Sequence, residues 1–547
     1  MNLFAKKSIA EMLAQADNSE KGLKRTLTAW SLVALGIGVI IGAGLFVRTA
    51  AAAAEAAGPG VTLSFIVAAA GCAFAGLCYA EFASMIPIAG SAYAYSYVAM
   101  GELIAWIIGW ALILEYALGA TTVSIAWSEY LNNLMGGSIP YEWCHSPFEH
   151  INQVVGSAIN SFPAELAKSA KNGVLLLTDH QYNSLTANLK ESVTIHSGIF
   201  NAPALAILLI LTLLLIRGTR ESAFVNAIIV FIKVLIVLLF VGFGWKFMNP
   251  ANHTPYLIPT DMPGHTEFFK HGWGGILGGA AIVFFAFIGF DAISTTAQEA
   301  KNPKRDMPIG IIGSLIVCTI LYIAFGHVLT GVANYKEFAT VGKEASVTYT
   351  IQAHMHGYEW LATSINIAIL AGFSSVILVL LMGQSRIFYS MSYDGLIPKV
   401  FGALHQKYKT PFKSNWILFI VVGLFASFVP GSVAGDLTSF GTLFAFTLVS
   451  ASIWILRIKE PDLQRPFKTP LVPAIPILSI VICAGMIVAL DKTTLKVAFA
   501  WMFVGFCVYF LYSKKHSKVQ QQFQKNRKIH MKESGAEIIS TLIDDFK

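Results

Sequence analysis

Along the chain, apolar stretches long enough to cross a membrane alternate with short segments that hold most of the lysine and arginine. A hydrocarbon core of about 30 Å takes roughly 20 apolar residues as helix. On that measure the pattern predicts an all-α chain of about twelve spans, at 28–53, 61–86, 98–133, 202–217, 223–248, 274–298, 308–333, 360–391, 415–430, 435–456, 473–490 and 496–513. Two spans carry glycine in mid-run: Gly36 to Phe46, with Ile40, Ile41, Gly42, Ala43 and Gly44 at its centre, and Phe284 to Asp291, with Gly289. Glycine is a poor helix former, so both are expected to unwind part-way. Lipid cannot satisfy the backbone groups so freed, and such breaks persist only where protein or a polar site covers them. Lying at matching places in the two halves of the chain, the pair points to the substrate site of a transporter. Glycine at helix-packing contacts is the bland alternative.

Composition agrees. Of 547 residues, 55% are hydrophobic and 13% charged, with a mean hydropathy of +0.63, far from the roughly 25% charged of soluble domains. The net charge of +7 is a topology signal and not a nucleic-acid footprint. Lys21, Lys24 and Arg25, then Arg217 and Arg220, Lys301, Lys304 and Arg305, Lys407, Lys409 and Lys413, Arg457, Lys459, Arg465 and Lys468, and finally Lys514, Lys515 and Lys518 all flank spans on one side. The positive-inside rule makes that side the cytoplasm, so both termini are expected there, most simply at a cell (inner) membrane. The N-terminus shows no cleavable signal pattern. Six scattered cysteines give neither a disulfide framework nor metal spacing, and no cofactor is implied. Ser8 to Ala16 reads as a surface amphipathic helix or a tail, and Gln520 to Gln524 as a solvated helix or a tail. Residues 134–201 form a long polar segment, with helical stretches such as Phe148 to Ala170 expected within it. It could serve as a lid, a partner surface or a tolerated insertion.

Candidate chemistry follows from the breaks. The amides around Gly42, Ala43 and Gly44 open a half-helix whose N-terminus suits a carboxylate. Carbonyls from Phe285 to Ile288 suit an ammonium, so the two breaks together suit a zwitterion. Lys233, mid-span in the fifth run, costs about 2.5–3.5 kcal/mol on insertion scales. It either binds and releases a proton during transport or tethers freed carbonyls of the first span. Glu115, deep in the third span, has the roles of relay, gate or neutral acid open to it. Asp291 is expected to brace the second break, Glu81 to pair with loop arginines or lysines, and Ser374 and Ser375 either to face the first break or to bond their own backbone.

At these residues the chain resembles the amino acid-polyamine-organocation superfamily, and most closely its cationic amino acid transporter branch. The matching stretches are Gly38 to Phe46, Tyr79 to Tyr95 with Pro87, Gly90 and Ser91, Gly109 to Leu118, the run around Lys233, Phe284 to Pro308, and Gly383 to Pro398. The resemblance implies ten helices as five-plus-five inverted repeats, 28–248 and 274–456, with helices 1 and 6 discontinuous, plus two additional helices at 473–513 and cytoplasmic ends at 1–27 and 514–547. It implies proton-coupled or exchange transport of amino acids by alternating access. Its carboxylate site falls on Ala43 and Gly44, its ammonium site on carbonyls of Ile40, Phe285, Ala286 and Ile288, and its coupling lysine on Lys233. Glu115, Phe290 and Phe373 stand where such proteins set side-chain selectivity. Ala43 departs from the serine or threonine of many relatives, leaving backbone donors alone for the carboxylate. The long segment 134–201 departs too, leaving room for a partner, a small membrane protein among them. A membrane enzyme would need a motif such as His-Glu-x-x-His, which is missing. An exchanger and a non-transporting amino acid sensor share the binding features of a symporter.

Overall fold

The computed structural model describes residues 3–7, 27–86, 91–167, 170, 174–218, 223–339, 346–408 and 410–524. The expected helix Ser8 to Ala16, Lys21, Lys24, Arg25, Pro87, Gly90, Arg220, Lys409 and the tail beyond 524 lie outside them. Among the described residues, eight helices are long and apolar enough to cross a membrane, and four shorter apolar helices accompany them. The protein is therefore a multi-pass integral membrane protein.

The helices are α1 (Ala29–Ile40), α2 (Val61–Met85), α3 (Ser91–Ala99), α4 (Glu102–Ile113), α5 (Gly119–Leu134), α6 (Ala202–Arg217), α7 (Ala223–Gly244), α8 (Gly272–Val283), α9 (Pro303–Val332), α10 (Ser346–His354), α11 (Glu359–Tyr393), α12 (Phe412–Phe428), α13 (Gly431–Lys459), α14 (Ala474–Val488) and α15 (Lys492–Val508). Their starts follow local chemistry. Thr28 caps α1 by accepting from Ser31 N–H, and Asn201 caps α6 by accepting from Ala204 N–H, with Pro203 in the first turn where no amide partner is needed. A single apolar core joins the bundle, with α9 laid along α1 and α2, α11 along α5, α6 on α12 and α13 on α14.

Two sequence expectations are corrected. The third span does not begin at 98: α3 ends at Ala99, and Gly101, at φ +94°, turns the chain before α4 starts at Glu102. The backbone of Phe4 occupies the place a Cβ at Gly101 would take, so only glycine fits. Residues 148–170 are helical only in part, at Gly156–Ser161 and Ala164–Ala167. Strand β1 (His150–Val155) lies there, paired antiparallel with β2 (Val174–Leu177) on one side and β3 (Thr194–Ser197) on the other. Alternation decides it: Asn152 and Val154 turn inward, and Val154 joins Leu175, Leu177, Ile159 and Phe162 in a small separate core. This subdomain is tied down by Asn201, whose side-chain amide donates to Cys144 O, and by His145, which pairs with Glu129 at 2.9 Å and stacks on Tyr141.

Near the opposite ends of α3, α4 and α11, residues 3–7 and the start of the C-terminal segment dock together. Glu102 and Leu103 donate their amides to Ala5 O and Leu3 O, the buried Lys7 pairs with Asp394, and Lys518 N–H reaches Asp394 O. Glu81 is fully buried and pairs with Arg457 and Arg465 at 2.8 and 3.1 Å, as expected for a carboxylate at that end of its span. Gln520 to Gln524 are helical.

Candidate functional site

Both glycine stretches interrupt their helices. After α1, Ile41 leaves the helix at ψ 103° while still donating to Ile37 O; the chain resumes at Gly44–Arg48 in a wide π-helical turn, with Leu45 N–H and Phe46 N–H reaching back to Gly42 O. The amides of Gly42, Ala43 and Gly44 have no backbone acceptor among the described residues. After α8, the tighter turn Phe284–Phe287 ends at Ile288, Gly289 adopts φ +107°, and a 3-10 segment runs from Asp291 to Glu299. Positive φ is open to glycine without the penalty a side chain brings.

The breaks touch. A Cβ on Gly44 would fall on the Cα of Ala286, so the two chains meet backbone to backbone, and a Cβ on Gly289 would strike Val39. The contact sets Gly44 against the nitrogen and Cα of Ala286. Amides without a backbone acceptor on one break and main-chain carbonyls on the other are groups that can bond the two ends of a zwitterion.

The carbonyls named from sequence divide into two kinds. Ile40 O and Ala286 O each lie 2.9 Å from the hydroxyl of Tyr322 on α9. Phe285 O is taken within the chain by Ile288 N–H at 3.3 Å. Lys233 is 1% exposed and donates from Nζ to Gly38 O at 2.6 Å, while its methylene stem lies against Gly372 of α11. A helix C-terminus leaves carbonyls without intrahelical donors. Here α7 and α9 supply them, through Lys233 and Tyr322.

Phe373 packs on Phe46 and Tyr130, with ring centroids 6.2 and 5.6 Å apart, and Phe46 also meets Phe325. Tyr130 and Ser346 hydroxyls donate to Phe46 O at 3.2 and 2.7 Å. Val376 fills the space above Gly42, and Ser374 bonds Leu370 O at 2.9 Å in its own helix instead of reaching the break. Phe290 is not brought to this group. It packs with Tyr79 and Phe446 at 5.7 and 4.8 Å, near the second set of polar groups. There Asp291 accepts from Tyr116 hydroxyl at 2.7 Å, and the fully buried Glu115 faces Asp291 and Thr442. Asp291 thus braces its break through α4–α5 side chains.

Sequence reading missed Tyr322, Tyr116, Tyr130 and the pair Arg48–Asp436. A tyrosine in an apolar run looks like any core aromatic, and only the fold aims its hydroxyl. Arg48, a cation within the first span, was a signal open to notice.

With this geometry in hand, comparison with known proteins gives a consistent answer: the amino acid permease family matches residues 27–512. The chain belongs to that family, within the amino acid-polyamine-organocation superfamily. It is similar to a branched-chain amino acid permease of Bacillus subtilis, 41% identical over 520 residues that cover 95% of this chain and 99% of the relative. It is 38% identical to a methylthioribose transporter of the same organism, over 94% of this chain and 99% of that one. A vacuolar cationic amino acid transporter of Arabidopsis thaliana is 33% identical over 82% of this chain and 62% of its own. The family and these relatives are transporters, not enzymes, and this permease is one of them.

Proposed function

We propose that this permease is a secondary active transporter that carries an L-amino acid across the membrane by proton symport. The observation that carries the reading is the contact of two broken helices at Gly44 and Ala286, the first with amides at 42–44 that have no backbone acceptor among the described residues and both with a carbonyl, Ile40 O and Ala286 O, that meets the Tyr322 hydroxyl. The carboxylate is held by the amides of Ala43 and Gly44 and the ammonium by carbonyls of Ile40, Ala286 and Ile288. The substrate side chain faces Phe46, Phe373 and Tyr130. Those apolar walls, and the likeness to a branched-chain permease, support a leucine-like substrate over a cationic one. Glu115, beside Asp291, acts as a gate or relay.

Lys233 is the coupling group. Its bond to Gly38 O ties α7 to the end of α1, so loss of its proton removes the charge that strengthens this bond, loosens α1 and links protonation to movement of the break. The cycle is alternating access between two five-helix repeats, 28–248 and 274–456, with 473–513 appended and both termini at the cytoplasmic face of the cell membrane. The test is uptake of labelled leucine into proteoliposomes under an imposed proton gradient. Wild-type protein accumulates leucine without counter-substrate, and Lys233→Ala loses gradient-driven accumulation while still binding leucine. Undiminished accumulation in the variant removes the coupling role, and accumulation that appears only with amino acid inside the vesicle makes the protein an exchanger.

A further inference from the structure

Segments from both ends of the chain converge on one face of the bundle, and neither has a part in the chemistry assigned so far. Gly101 offers α4 no side-chain cap. The first amides of a helix need acceptors from outside it, and those of Glu102 and Leu103 find Ala5 O and Leu3 O at 3.0 and 3.1 Å. Lys7, 7% exposed, stands 4.9 Å over the Tyr97 ring of α3 and makes the one ion pair of Asp394, at the end of α11, among the described residues. The second carboxylate oxygen of Asp394 accepts from the hydroxyl of Tyr93, also on α3, at 2.6 Å. Glu102 is fully buried and accepts from the hydroxyls of Tyr97 at 2.8 Å, Tyr509 at 3.0 Å and Ser517, so the C-terminal segment joins the same group.

These contacts hold α3. It packs against the segment Asp291–Glu299 that follows the second break, and that segment is bonded to the start of the first span: Leu27 N–H donates to Glu299 O at 3.0 Å, and Leu27 O accepts from Lys301 N–H at 2.8 Å. Movement of these half-helices on this face therefore has to displace α3. A short segment fastened by one ion pair and two backbone bonds is the part of such an assembly that opens most readily. We propose that residues 3–7 are a latch, closed by Lys7 on Asp394, that holds α3 against the half-helices of the two breaks and opens before substrate leaves through the face of the bundle where the two terminal segments dock. The inference rests on the permease reading and adds a control on its rate. Without the Lys7 charge the Asp394 carboxylate stays buried with no cation beside it, which weakens the closed latch and leaves the breaks themselves unaltered.

The experiment compares wild-type protein, Lys7→Met and Lys7→Arg, each full length in proteoliposomes. Hydrogen exchange at the Glu102 and Leu103 amides reads the latch directly, because their acceptors lie in it. Lys7→Met is expected to speed that exchange about tenfold or more, the size of one hydrogen bond to a charged group, whereas Lys7→Arg keeps the charge and stays within about threefold of wild type. Counterflow of labelled leucine reads the consequence. With opening as the slow step, Lys7→Met raises the counterflow rate about threefold or more and leaves leucine affinity within about twofold. Faster hydrogen exchange with unchanged or slower counterflow makes the docking merely structural and overturns the proposal, as does unchanged hydrogen exchange. Should Lys7→Met fold poorly, the wild-type protein carries the test: with saturating leucine on both sides of the membrane the Glu102 and Leu103 amides exchange faster than without leucine, and equal exchange overturns the proposal. Absence of leucine counterflow in wild-type protein overturns the permease reading on which the latch rests, whereas wild-type counterflow with no gain in Lys7→Met overturns the latch alone.

Discussion

Gly44 shows how much rests on one missing methyl group. A Cβ there must displace the backbone of Ala286, not the tip of a flexible side chain. Gly44→Ala is therefore expected to part the two breaks, abolish leucine binding and lower the melting temperature, with binding and thermal unfolding measured on the same preparation. Gly289 is constrained in another way, by φ +107° and by Val39 packed where a side chain would begin. Gly289→Ala should cost about 1–2 kcal/mol for the backbone conformation alone, and more for the clash, read as a loss of unfolding free energy. Both glycines were legible in sequence as helix interruptions, because weak helix propensity is a local property. Which carbonyls remain open was not legible. Phe285 O accepts from Ile288 N–H three residues on, while Ile40 O and Ala286 O meet a tyrosine far along the chain.

At the scale of elements, the segment 134–201 is a small three-stranded domain moored to the bundle. Burial pulls the pKa of His145 down, but the charge of Glu129, its hydrogen bond, the charge of Glu149 and the Tyr141 carbonyl outweigh that and push it up to about 9. A folded pKa above the ordinary 6.5 means that the mooring is fully present below about 6.5 and is lost as pH rises through about 9. Hydrogen exchange over 141–200 should therefore speed up between pH 7 and 10, after correction for the intrinsic rate. His145→Gln should show fast exchange already at neutral pH, and equal, pH-independent protection in both proteins would count against the mooring. The sheet was not legible because β1 pairs with strands about 20 and 40 residues away, and six residues of mixed polarity do not reveal partners at that distance. The membrane helices were legible because length and apolarity alone decide them.

At the scale of the whole molecule, the pair of the buried Arg48 and the partly buried Asp436 fastens the half-helix beyond the first break to α13, across 388 residues of chain. Removing one partner leaves an uncompensated buried charge, so Asp436→Asn should cost about 3–5 kcal/mol, while the double change Arg48→Met with Asp436→Leu should recover most of it. Thermal unfolding of the three proteins checks this, and a double variant no more stable than the single one would contradict the pairing. By itself the sequence determined the membrane class, the predominance of apolar helices and the two places where helix gives way, since each follows from the affinity of short segments for lipid and for helical backbone. Only the tertiary structure decided that the breaks meet at Gly44 and Ala286, that Phe290 and Glu115 stand apart from Phe373, and that Lys233 and Tyr322 end α1. Those are contacts between residues distant in the chain, set by how the helices pack, and no local preference encodes them.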